Sequence, residues 1–364
     1  MTIKHKNINF INHDCAIIKA VKEAVLYEKL PKKNVRCGAC QWRCVISPDK
    51  WGYCQTRINK DGKLYSVIYG VVSSAGVDPI EKKPVFHYKP GSSCFSLGTY
   101  GCNFRCAFCQ NYGISYTQGA SLNLDQEKLL SPKEAIQMAK KSGPPAGGGI
   151  AWTYNEPAIW LEYSLDCAKL AKKENLYTCW VTNGYATREA IDLIAPYLDI
   201  YRVDLKSFSD DLYQKLILIP KAAGVFETTK YVHNKYPKIH IECVTNVIPG
   251  WNDSEENLKS LASWIAKNLG PKTPWHVTRF FPTADLTNVP PTPPETLFKA
   301  RELGMKEGLE FVYIGNMAVE EEDDTFCPKC GNLAIKRDGY TIQIINVDKK
   351  GHCQKCGENL NIVM

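Results

Sequence analysis

Three cysteines within one eight-residue stretch constrain this chain more than any other feature of its sequence. Cys102, Cys106 and Cys109 follow the spacing Cys-x3-Cys-x2-Cys, and the aromatic Phe108 stands just before the last of them. Three thiolates this close together can hold three irons of a cubane and leave the fourth iron open. An open iron can bind a substrate or cofactor directly, as the open position of a catalytic zinc does. The loop therefore predicts a reaction centre, with a partial zinc knuckle as the alternative.

Strand-like and helix-like segments alternate over the middle of the chain. Strands are predicted at 95–99, 149–154, 177–182, 200–205, 239–246, 275–280 and 310–314. Between them, helices are predicted to begin near 131, 157, 187, 224, 254 and 294. Strands joined by crossover helices form a parallel sheet, so we predict an α/β fold with a partial (β/α)6-type barrel. The cysteine loop follows the first of these strands and should lie at the C-terminal face of the barrel.

Cysteine-rich regions flank this alternating region on both sides. We predict an N-terminal four-cysteine metal-binding module over residues 1–90, a core over 91–318 and a C-terminal zinc-ribbon-like module over 319–364. The N-terminal ligands are expected to be Cys37, Cys40, Cys44 and Cys54. Their number suits either a closed zinc site or an auxiliary four-iron cluster, and the sequence leaves that choice open.

The C-terminal module begins after an acidic stretch, 320–324, that we interpret as a solvated linker. Its four cysteines form two Cys-x2-Cys knuckles, each followed by glycine: Cys327, Cys330, Cys353 and Cys356. Paired knuckles of this kind predict a tetrahedral zinc ribbon, with a rubredoxin-like iron site as the alternative. Because so short a region has little core of its own, the metal should supply much of its folding free energy.

Composition narrows the class of protein. The 364 residues contain 16 cysteines and carry a net charge of +7. The start of the chain lacks the apolar core of a secretory signal, and no apolar run approaches the ~18 residues of a membrane span, so we expect a cytoplasmic protein without membrane contact. In a reducing compartment so many cysteines favour metal ligation over disulfides.

Polar residues mark the ends of several predicted strands, where a barrel builds its site. Asn155 and Glu156 follow the second strand and Asn183 follows the third. Asp204 and Lys206 end the fourth strand and, two residues apart, point to the same face. Such a pair can bind the hydroxyl and carboxylate groups of a ligand; a simple salt bridge at the rim is the alternative.

The cysteine loop with Phe108 resembles the signature loop of the radical S-adenosylmethionine (SAM) superfamily. The segments 78–84 and 312–316 and the N-terminal cysteines are similar to those of the AmmeMemoRadiSam-system radical SAM enzymes, relatives of the glycyl-radical (pyruvate formate-lyase) activating enzymes. The resemblance implies an oxidoreductase-type enzyme in which a [4Fe-4S] cluster on Cys102, Cys106 and Cys109 reductively cleaves S-adenosyl-L-methionine. The resulting 5′-deoxyadenosyl radical abstracts hydrogen from a substrate.

The resemblance also assigns roles to pocket residues. Glu156, with Asn155, occupies the turn that binds the amino group of SAM, although Tyr154 and Asn155 replace two glycines of the family pattern. Asp204 and Lys206 correspond to a pair that binds the ribose and the carboxylate of SAM. Apart from the resemblance, the strand ends themselves suggest cofactor contacts from Asn183 and from the backbone near Val247, and either His276 or Arg279 is expected to face SAM or the substrate. A buried structural role for His276 is the alternative.

The resemblance further implies a flavodoxin- or ferredoxin-type electron donor. The substrate is left open among a protein glycine, an RNA nucleoside and a small metabolite. A non-catalytic, metal-stapled adaptor is a separate hypothesis, although it would not need an open iron position or the Asp204–Lys206 pair.

Overall fold

A computed structural model describes residues 20–124, 126–143, 148–317 and 323–364 of the chain. The start of the chain, on which the expectation about secretion depends, lies outside the described residues. So do residues 318–322, which contain the predicted boundary after residue 318 and most of the acidic stretch.

The described residues form short strands at both ends of the chain and long elements between them. The strands are β1 (Lys22–Glu23), β2 (Tyr27–Lys29), β3 (Val35–Cys37), β4 (Val45–Ile46), β5 (Arg57–Lys60), β6 (Lys63–Ser66), β7 (Ser74–Pro79), β8 (Ser93–Gly98), β9 (Gly148–Trp152), β10 (Tyr177–Thr182), β11 (Ile200–Asp204), β12 (His240–Val247), β13 (Trp275–Arg279), β14 (Val312–Gly315), β15 (Thr325–Phe326), β16 (Leu333–Asp338) and β17 (Thr341–Ile344). The α-helices are α1 (Tyr112–Ser115), α2 (Pro132–Lys141), α3 (Leu161–Lys173), α4 (Arg188–Ile194), α5 (Asp210–Leu212), α6 (Ala223–Lys235), α7 (Glu255–Leu269) and α8 (Pro294–Lys306).

The central sheet contains eight strands in the order β14-β13-β12-β11-β10-β9-β8-β7. Strands β8 to β14 are parallel, and β7 pairs with β8 in the antiparallel direction. The helices α2, α3, α4, α6, α7 and α8 each connect two neighbouring parallel strands. The sequence prediction of a partial (β/α)6-type barrel is therefore confirmed.

Local signals in the sequence account for where the helices begin. Ser131 caps α2 in a full capping box with Glu134, and Pro132 occupies the first helical position. Thr187 and Ser254 cap α4 and α7 through side-chain oxygens that accept backbone N–H groups. Each cap ends a βα loop at the C-terminal edge of the sheet, so these loops present their residues to one side.

The inner face of the sheet carries an apolar cluster and a buried carboxylate. Apolar side chains from several strands form the lower part, among them Cys94, Ala151, Cys179 and Ile200. On β12 the fully buried Glu242 accepts hydrogen bonds from the backbone N–H groups of Phe86 and His87. This network closes the floor of the barrel and leaves its upper, C-terminal end to form a site.

The sequence of the N-terminal region predicts a pair of strands at 64–68 and 71–74 with Gly70 between them, and the structure differs from this prediction. Strand β6 pairs with β5 in a hairpin, and β7 begins later, at Ser74, and joins the central sheet. The cause is the long-range pairing with β8, which local propensity does not reveal. The central sheet thus begins before residue 91, while the division of the chain into three domains stays a prediction.

Two small sheets lie outside the central one in the N-terminal region, β1-β6-β5 and β2-β3-β4, and a third, β15-β16-β17, lies in the C-terminal region. Within the described ranges, no helix combines the length and the apolar character needed to cross a membrane.

Candidate active site

A cavity of about 400 Å³ opens at the C-terminal ends of the parallel strands. This volume lies in the range of small-molecule binding sites. All three cysteines of the signature loop contribute to its wall, as do Phe108, Asn155, Glu156, Asn183, Asp204 and Lys206. The cavity therefore brings together the cysteine loop and most of the side chains that the sequence predicted as cofactor-binding.

The cysteine loop leaves β8 through a tight turn at Gly101. Gly101 has φ of +81°, and a Cβ at this position would lie 2.4 Å from Thr56 Cγ2 and 2.8 Å from the carbonyl oxygen of Cys54. Only glycine fits this conformation and this contact without strain. Within the loop, Arg105 Nη1 donates to the carbonyl groups of Cys102 at 2.7 Å and of Phe104 at 2.9 Å. The Arg105 side chain thus holds the backbone of the cysteine loop in place.

Two asparagine side chains connect later strand ends to the loop. Asn155 Nδ2 donates to the Gly101 carbonyl at 2.8 Å. Asn183 Nδ2 donates to Asn103 Oδ1 at 2.7 Å, and its Oδ1 accepts from the Tyr185 backbone at 3.0 Å. Both residues line the cavity, but their amides are used to position the cysteine loop.

Burial disfavours ionisation of the thiols of Cys102 and Cys106. It raises the pKa of Cys102 above its ordinary value and that of Cys106 to about 12. A bound metal reverses this preference, because a coordinating thiol is deprotonated outright. Two sulfurs on one ion with ~2.3 Å bonds lie at most about 4.6 Å apart. The signature cysteines are not among the described groups whose ligand atoms all lie within 4.8 Å of one another, so their sulfurs are not placed to share one metal ion.

Glu156 lies at the end of β9 and is almost completely buried. Its carboxylate accepts from Thr182 Oγ1 at 2.7 Å, from the Asn183 backbone at 2.7 Å and from the Ala158 backbone at 3.0 Å. Burial raises the pKa of Glu156 to about 7, although these three donors oppose the shift. A carboxylate has about four acceptor sites, so one remains for a ligand.

A charged triad occupies the end of β11. Asp204 accepts from Arg202 Nη1 through Oδ1 and from Lys206 Nζ through Oδ2 at 2.9 Å. Burial opposes ionisation of Asp204, but the two cations outweigh it and lower its pKa. Burial likewise opposes the charge on Lys206, but Asp204 raises the pKa of Lys206, and the ammonium lies 5.6 Å from the centre of the Phe108 ring. The triad therefore presents fixed charges to the cavity.

The cavity wall contains polar atoms that the protein does not satisfy. Among the described residues, Arg202 Nε and Asn246 Oδ1 are buried without a hydrogen-bond partner. Both residues line the cavity. Buried polar groups are normally paired, so these two atoms indicate a polar ligand that completes the site. Together with three thiols, a carboxylate and an ammonium, they fit a zwitterionic, hydroxyl-bearing ligand next to a metal cluster.

Two predicted cofactor contacts lie elsewhere. Val247 is fully buried behind the wall, and its carbonyl accepts from Thr292 Oγ1 at 2.6 Å. His276 lies in the floor of the barrel, where its Nε2 is 2.7 Å from Glu242 Oε2. Their neighbours Asn246 and Thr278 line the cavity instead. The structure places His276 in the buried position that the alternative expected, two residues before Thr278, while its role towards the cofactor stays a prediction.

The sequence prediction missed several wall residues. Arg202 lies two residues before Asp204 on the same face of β11, so the period of two that revealed Lys206 could also have revealed it. Lys82 and Lys83 line the cavity, and both bind the carboxylate of Asp78. Their position depends on the β7–β8 pairing and could not be predicted from local pattern.

The C-terminal cysteines form a compact metal-binding group. The Sγ atoms of Cys327 and Cys356 lie 3.6 Å apart, and those of Cys330 and Cys353 lie 3.8 Å apart. Tetrahedral coordination with ~2.3 Å bonds requires sulfurs about 3.8 Å apart. The four residues therefore could hold one metal ion, and Arg337 of this module packs on Phe86 in the floor of the barrel, with its guanidinium carbon 4.3 Å from the ring centre.

The N-terminal cysteines also come together. Cys37, Cys40, Cys44 and Cys54 line a second, smaller cavity next to the cysteine loop. None of the fifteen cysteines in the described residues forms a disulfide.

Comparisons with known proteins find a family match over the region that contains the cysteine loop. The family model described as the Radical SAM superfamily matches residues 96–262. The uncharacterized protein MJ0808 of Methanocaldococcus jannaschii is 37% identical over 345 residues, which cover 94% of this chain and 100% of that protein. The pyruvate formate-lyase 1-activating enzyme of Escherichia coli K12 is 30% identical over 166 residues, which cover 45% of this chain and 65% of that enzyme. The pyruvate formate-lyase-activating enzyme of Clostridium pasteurianum is 30% identical over 169 residues, which cover 46% of this chain and 67% of that enzyme.

Proposed function

The chain is an enzyme of the radical SAM superfamily, and from this we propose that Cys102, Cys106 and Cys109 hold a [4Fe-4S] cluster while S-adenosylmethionine occupies the adjoining cavity. When bound and reduced, the cluster supplies the one electron that cleaves SAM to methionine and a 5′-deoxyadenosyl radical. Membership of an enzyme family also removes the support for the non-catalytic adaptor considered from the sequence.

The chain's own residues bind and orient the cofactor. Lys206, held in its charged form by Asp204, binds the methionine carboxylate, and Asp204 accepts from the ribose hydroxyls. The remaining acceptor site of Glu156 binds the methionine ammonium, whose charge would lower the pKa of this carboxyl from about 7. Asn155 and Asn183 act on the cofactor through the loop that they hold.

One observation carries this proposal: three non-disulfide thiols and the Arg202–Asp204–Lys206 triad line the same cavity. A cluster needs only the thiols, whereas a zwitterionic nucleoside needs fixed charges of both signs beside them.

For the hydrogen donor we propose a glycine residue of a partner protein. The support is the similarity to the E. coli enzyme, whose name describes it as activating pyruvate formate-lyase, although the chain spans less than two thirds of that enzyme. A net charge of +7 suits an acidic electron donor of the flavodoxin or ferredoxin class. The absence of disulfides among the described cysteines suits a reducing, cytoplasmic location.

Cofactor binding is tested by substitutions in the triad. Lys206→Met removes a charge-assisted bond worth roughly 1.5–3 kcal/mol, so the Kd for SAM should rise by at least tenfold. Lys299→Met removes an exposed lysine on α8 and serves as the control. Unchanged SAM affinity in the Lys206 variant, with the cluster loaded, would contradict the assigned pose.

The substrate class is tested by isotope transfer. Extract from cells grown on glycine deuterated at its α-carbon is incubated with the loaded, reduced enzyme and SAM, and 5′-deoxyadenosine is weighed by mass spectrometry. We expect deuterium in the 5′-deoxyadenosine. The protein fraction of the extract should be sufficient for this transfer, and ribonuclease treatment of the extract should not prevent it. Deuterium transfer that needs only the small-molecule fraction would assign the substrate to a metabolite instead. Loss of deuterium transfer after ribonuclease treatment would assign it to RNA.

A further inference from the structure

The N-terminal cavity is built like a cluster site. All four cysteines of the N-terminal group line it, and the other wall residues are Ala39, Ile46, Gly52, Tyr53, Arg57 and Ile159. Only two of these carry side-chain nitrogen or oxygen atoms, and neither is a carboxylate or a histidine. We propose that Cys37, Cys40, Cys44 and Cys54 bind a second four-iron, four-sulfur cluster rather than a zinc ion.

The distances between the cysteine sulfurs distinguish a zinc site from a cluster site. In the described part of the chain, the C-terminal cysteines form the one group whose ligand atoms all lie within 4.8 Å of one another. No three of the N-terminal sulfurs meet that limit, although all four side chains face one cavity. A single zinc requires its sulfurs within about 4.6 Å of each other, whereas each cysteine of a cubane binds a different iron. The N-terminal group is therefore arranged like the signature cysteines and unlike the C-terminal group.

The cavity also offers donors to a cluster. Arg57 is 1% exposed, and its Nε has no hydrogen-bond partner among the described residues. The other two nitrogens of this guanidinium bind Glu162, so the residue is fixed while one donor stays unused. A thiolate or a cluster sulfide would satisfy it, as buried polar atoms require.

Two further hydrogen bonds reach the thiols. The Tyr53 backbone N–H lies 3.5 Å from Cys44 Sγ, and Thr56 Oγ1 lies 3.2 Å from Cys54 Sγ. Hydrogen bonds to the sulfurs, together with burial, are the means by which proteins set the reduction potential of a cluster. These contacts are consistent with a redox centre.

The second site adjoins the first. The Cys54 carbonyl packs against Gly101, the residue before Cys102, and leaves no space for a side chain there. Trp42 stacks on Tyr53 with ring centres 4.0 Å apart and donates from Nε1 to the Asn103 carbonyl at 2.8 Å. Arg105 Nη2 donates to the Tyr53 carbonyl at 3.2 Å. A cluster held by the N-terminal cysteines would thus lie directly beside the signature loop.

The test is metal and sulfide counting on anaerobically reconstituted full-length protein, supplied with ferrous iron, sulfide and zinc together. The decisive variant is Cys102→Ala/Cys106→Ala/Cys109→Ala, which leaves the N-terminal group intact. We expect about eight irons in the wild type and about four irons with four sulfides in this variant. The reduced variant should also give the electron paramagnetic resonance signal of a single [4Fe-4S] cluster.

The complementary variant, Cys37→Ala/Cys40→Ala/Cys44→Ala/Cys54→Ala, should retain about four irons if it folds. The signature-loop variant decides the question even if this one does not fold. Iron without sulfide, or a second zinc in place of iron at the N-terminal group, would overturn the proposal. The iron and sulfide counts of the signature-loop variant depend neither on SAM cleavage nor on a cluster at the signature loop, so failure of the proposed function would leave them unaffected.

Discussion

Asn183 and Asn103 are joined by a 2.7 Å hydrogen bond from the side-chain amide of Asn183 to Oδ1 of Asn103. Both side chains are buried, with exposed fractions of 7% and 0%. The bond connects the end of β10 to the middle of the cysteine loop, so it couples the sheet to the residues that we expect to carry the cluster.

This bond predicts a coupling energy between the two positions. Asn183→Ala leaves the buried Asn103 Oδ1 with only the weak donor Cys102 Sγ at 3.8 Å and should lower the free energy of unfolding by about 1–3 kcal/mol. A double-mutant cycle with Asn103→Ala, measured by urea unfolding without oxygen, should give a coupling of about 1 kcal/mol. Strict additivity of the two substitutions would show that the bond does not form.

The turn before the cysteine loop should tolerate only glycine. Gly101→Ala places a Cβ 2.4 Å from Thr56 Cγ2 at a φ of +81°, so we expect loss of stability and poor cluster retention. Gly113→Ala is a matched control in α1, because a Cβ there meets no atom within 4 Å. Iron content after reconstitution and the thermal midpoint check both variants. Equal iron content in the two would be evidence against a tightly packed turn.

Replacing only one partner of the buried Arg57–Glu162 ion pair should strongly lower the free energy of unfolding. Both side chains are 1% exposed, and the guanidinium binds the carboxylate through two bonds of 2.9 and 2.7 Å. Glu162→Ala leaves an uncompensated buried charge and should cost about 3–5 kcal/mol, whereas Arg57→Met/Glu162→Leu should recover much of this loss. Urea unfolding measures each variant.

The exposed pair of Arg43 and Glu189 serves as the control for this comparison. Its two side chains are 42% and 50% exposed, and a single nitrogen, Arg43 Nη2, donates to both carboxylate oxygens of Glu189. Glu189→Ala should cost less than about 1 kcal/mol. Equal losses from Glu162→Ala and Glu189→Ala would contradict the burial of the first pair.

His87 should make the protein sensitive to acid. Burial lowers the pKa of His87 from 6.5 to about 3. Its Nδ1 lies 3.0 Å from the Leu360 carbonyl and therefore donates, while Nε2 accepts from the Tyr313 hydroxyl at 2.6 Å, so the ring is neutral. Between pH 3 and pH 6.5 the imidazole of His87 is protonated in the unfolded chain but neutral in the folded protein. The free energy of unfolding therefore rises with pH in this range and decreases as the pH falls from 6.5 towards 3.

From pH 7 to pH 5 this residue should contribute a loss of about 2 kcal/mol to the free energy of unfolding. His87→Asn should be less stable at pH 7 but should lose less on acidification than the wild type. Urea unfolding at the two pH values measures both slopes. Parallel losses in the two proteins would exclude His87 as the source.

The sequence predicted the strands of the barrel well because the parallel strands are short apolar runs separated by helices, three of which begin at a side-chain cap. The run at 177–182, for example, matches β10 in full. Prediction failed where pairing partners are distant in sequence. Strand β7 starts at Ser74 because it joins β8, and no local pattern around Gly70 indicates that.

The site was predicted where its chemistry follows a fixed spacing. Asp204 and Lys206 were found because alternate residues of a strand share a face, and both line the cavity. The sequence pattern does not show how far along a strand the cavity begins. His276 and Thr278 share a face of β13, yet Thr278 lines the cavity and His276 lies in the floor. The sequence alone could not distinguish the two positions.

The most direct test of the central claim is the yield of 5′-deoxyadenosine from SAM. Anaerobically loaded protein is reduced with dithionite and incubated with SAM, first alone and then with the extract fraction that stimulates isotope transfer. The wild type should release 5′-deoxyadenosine and methionine in equal amounts, and Cys106→Ala should release neither. Cleavage by the Cys106→Ala variant, or none by the fully loaded wild type with any extract fraction, would contradict the assignment of Cys102, Cys106 and Cys109 as the reaction centre.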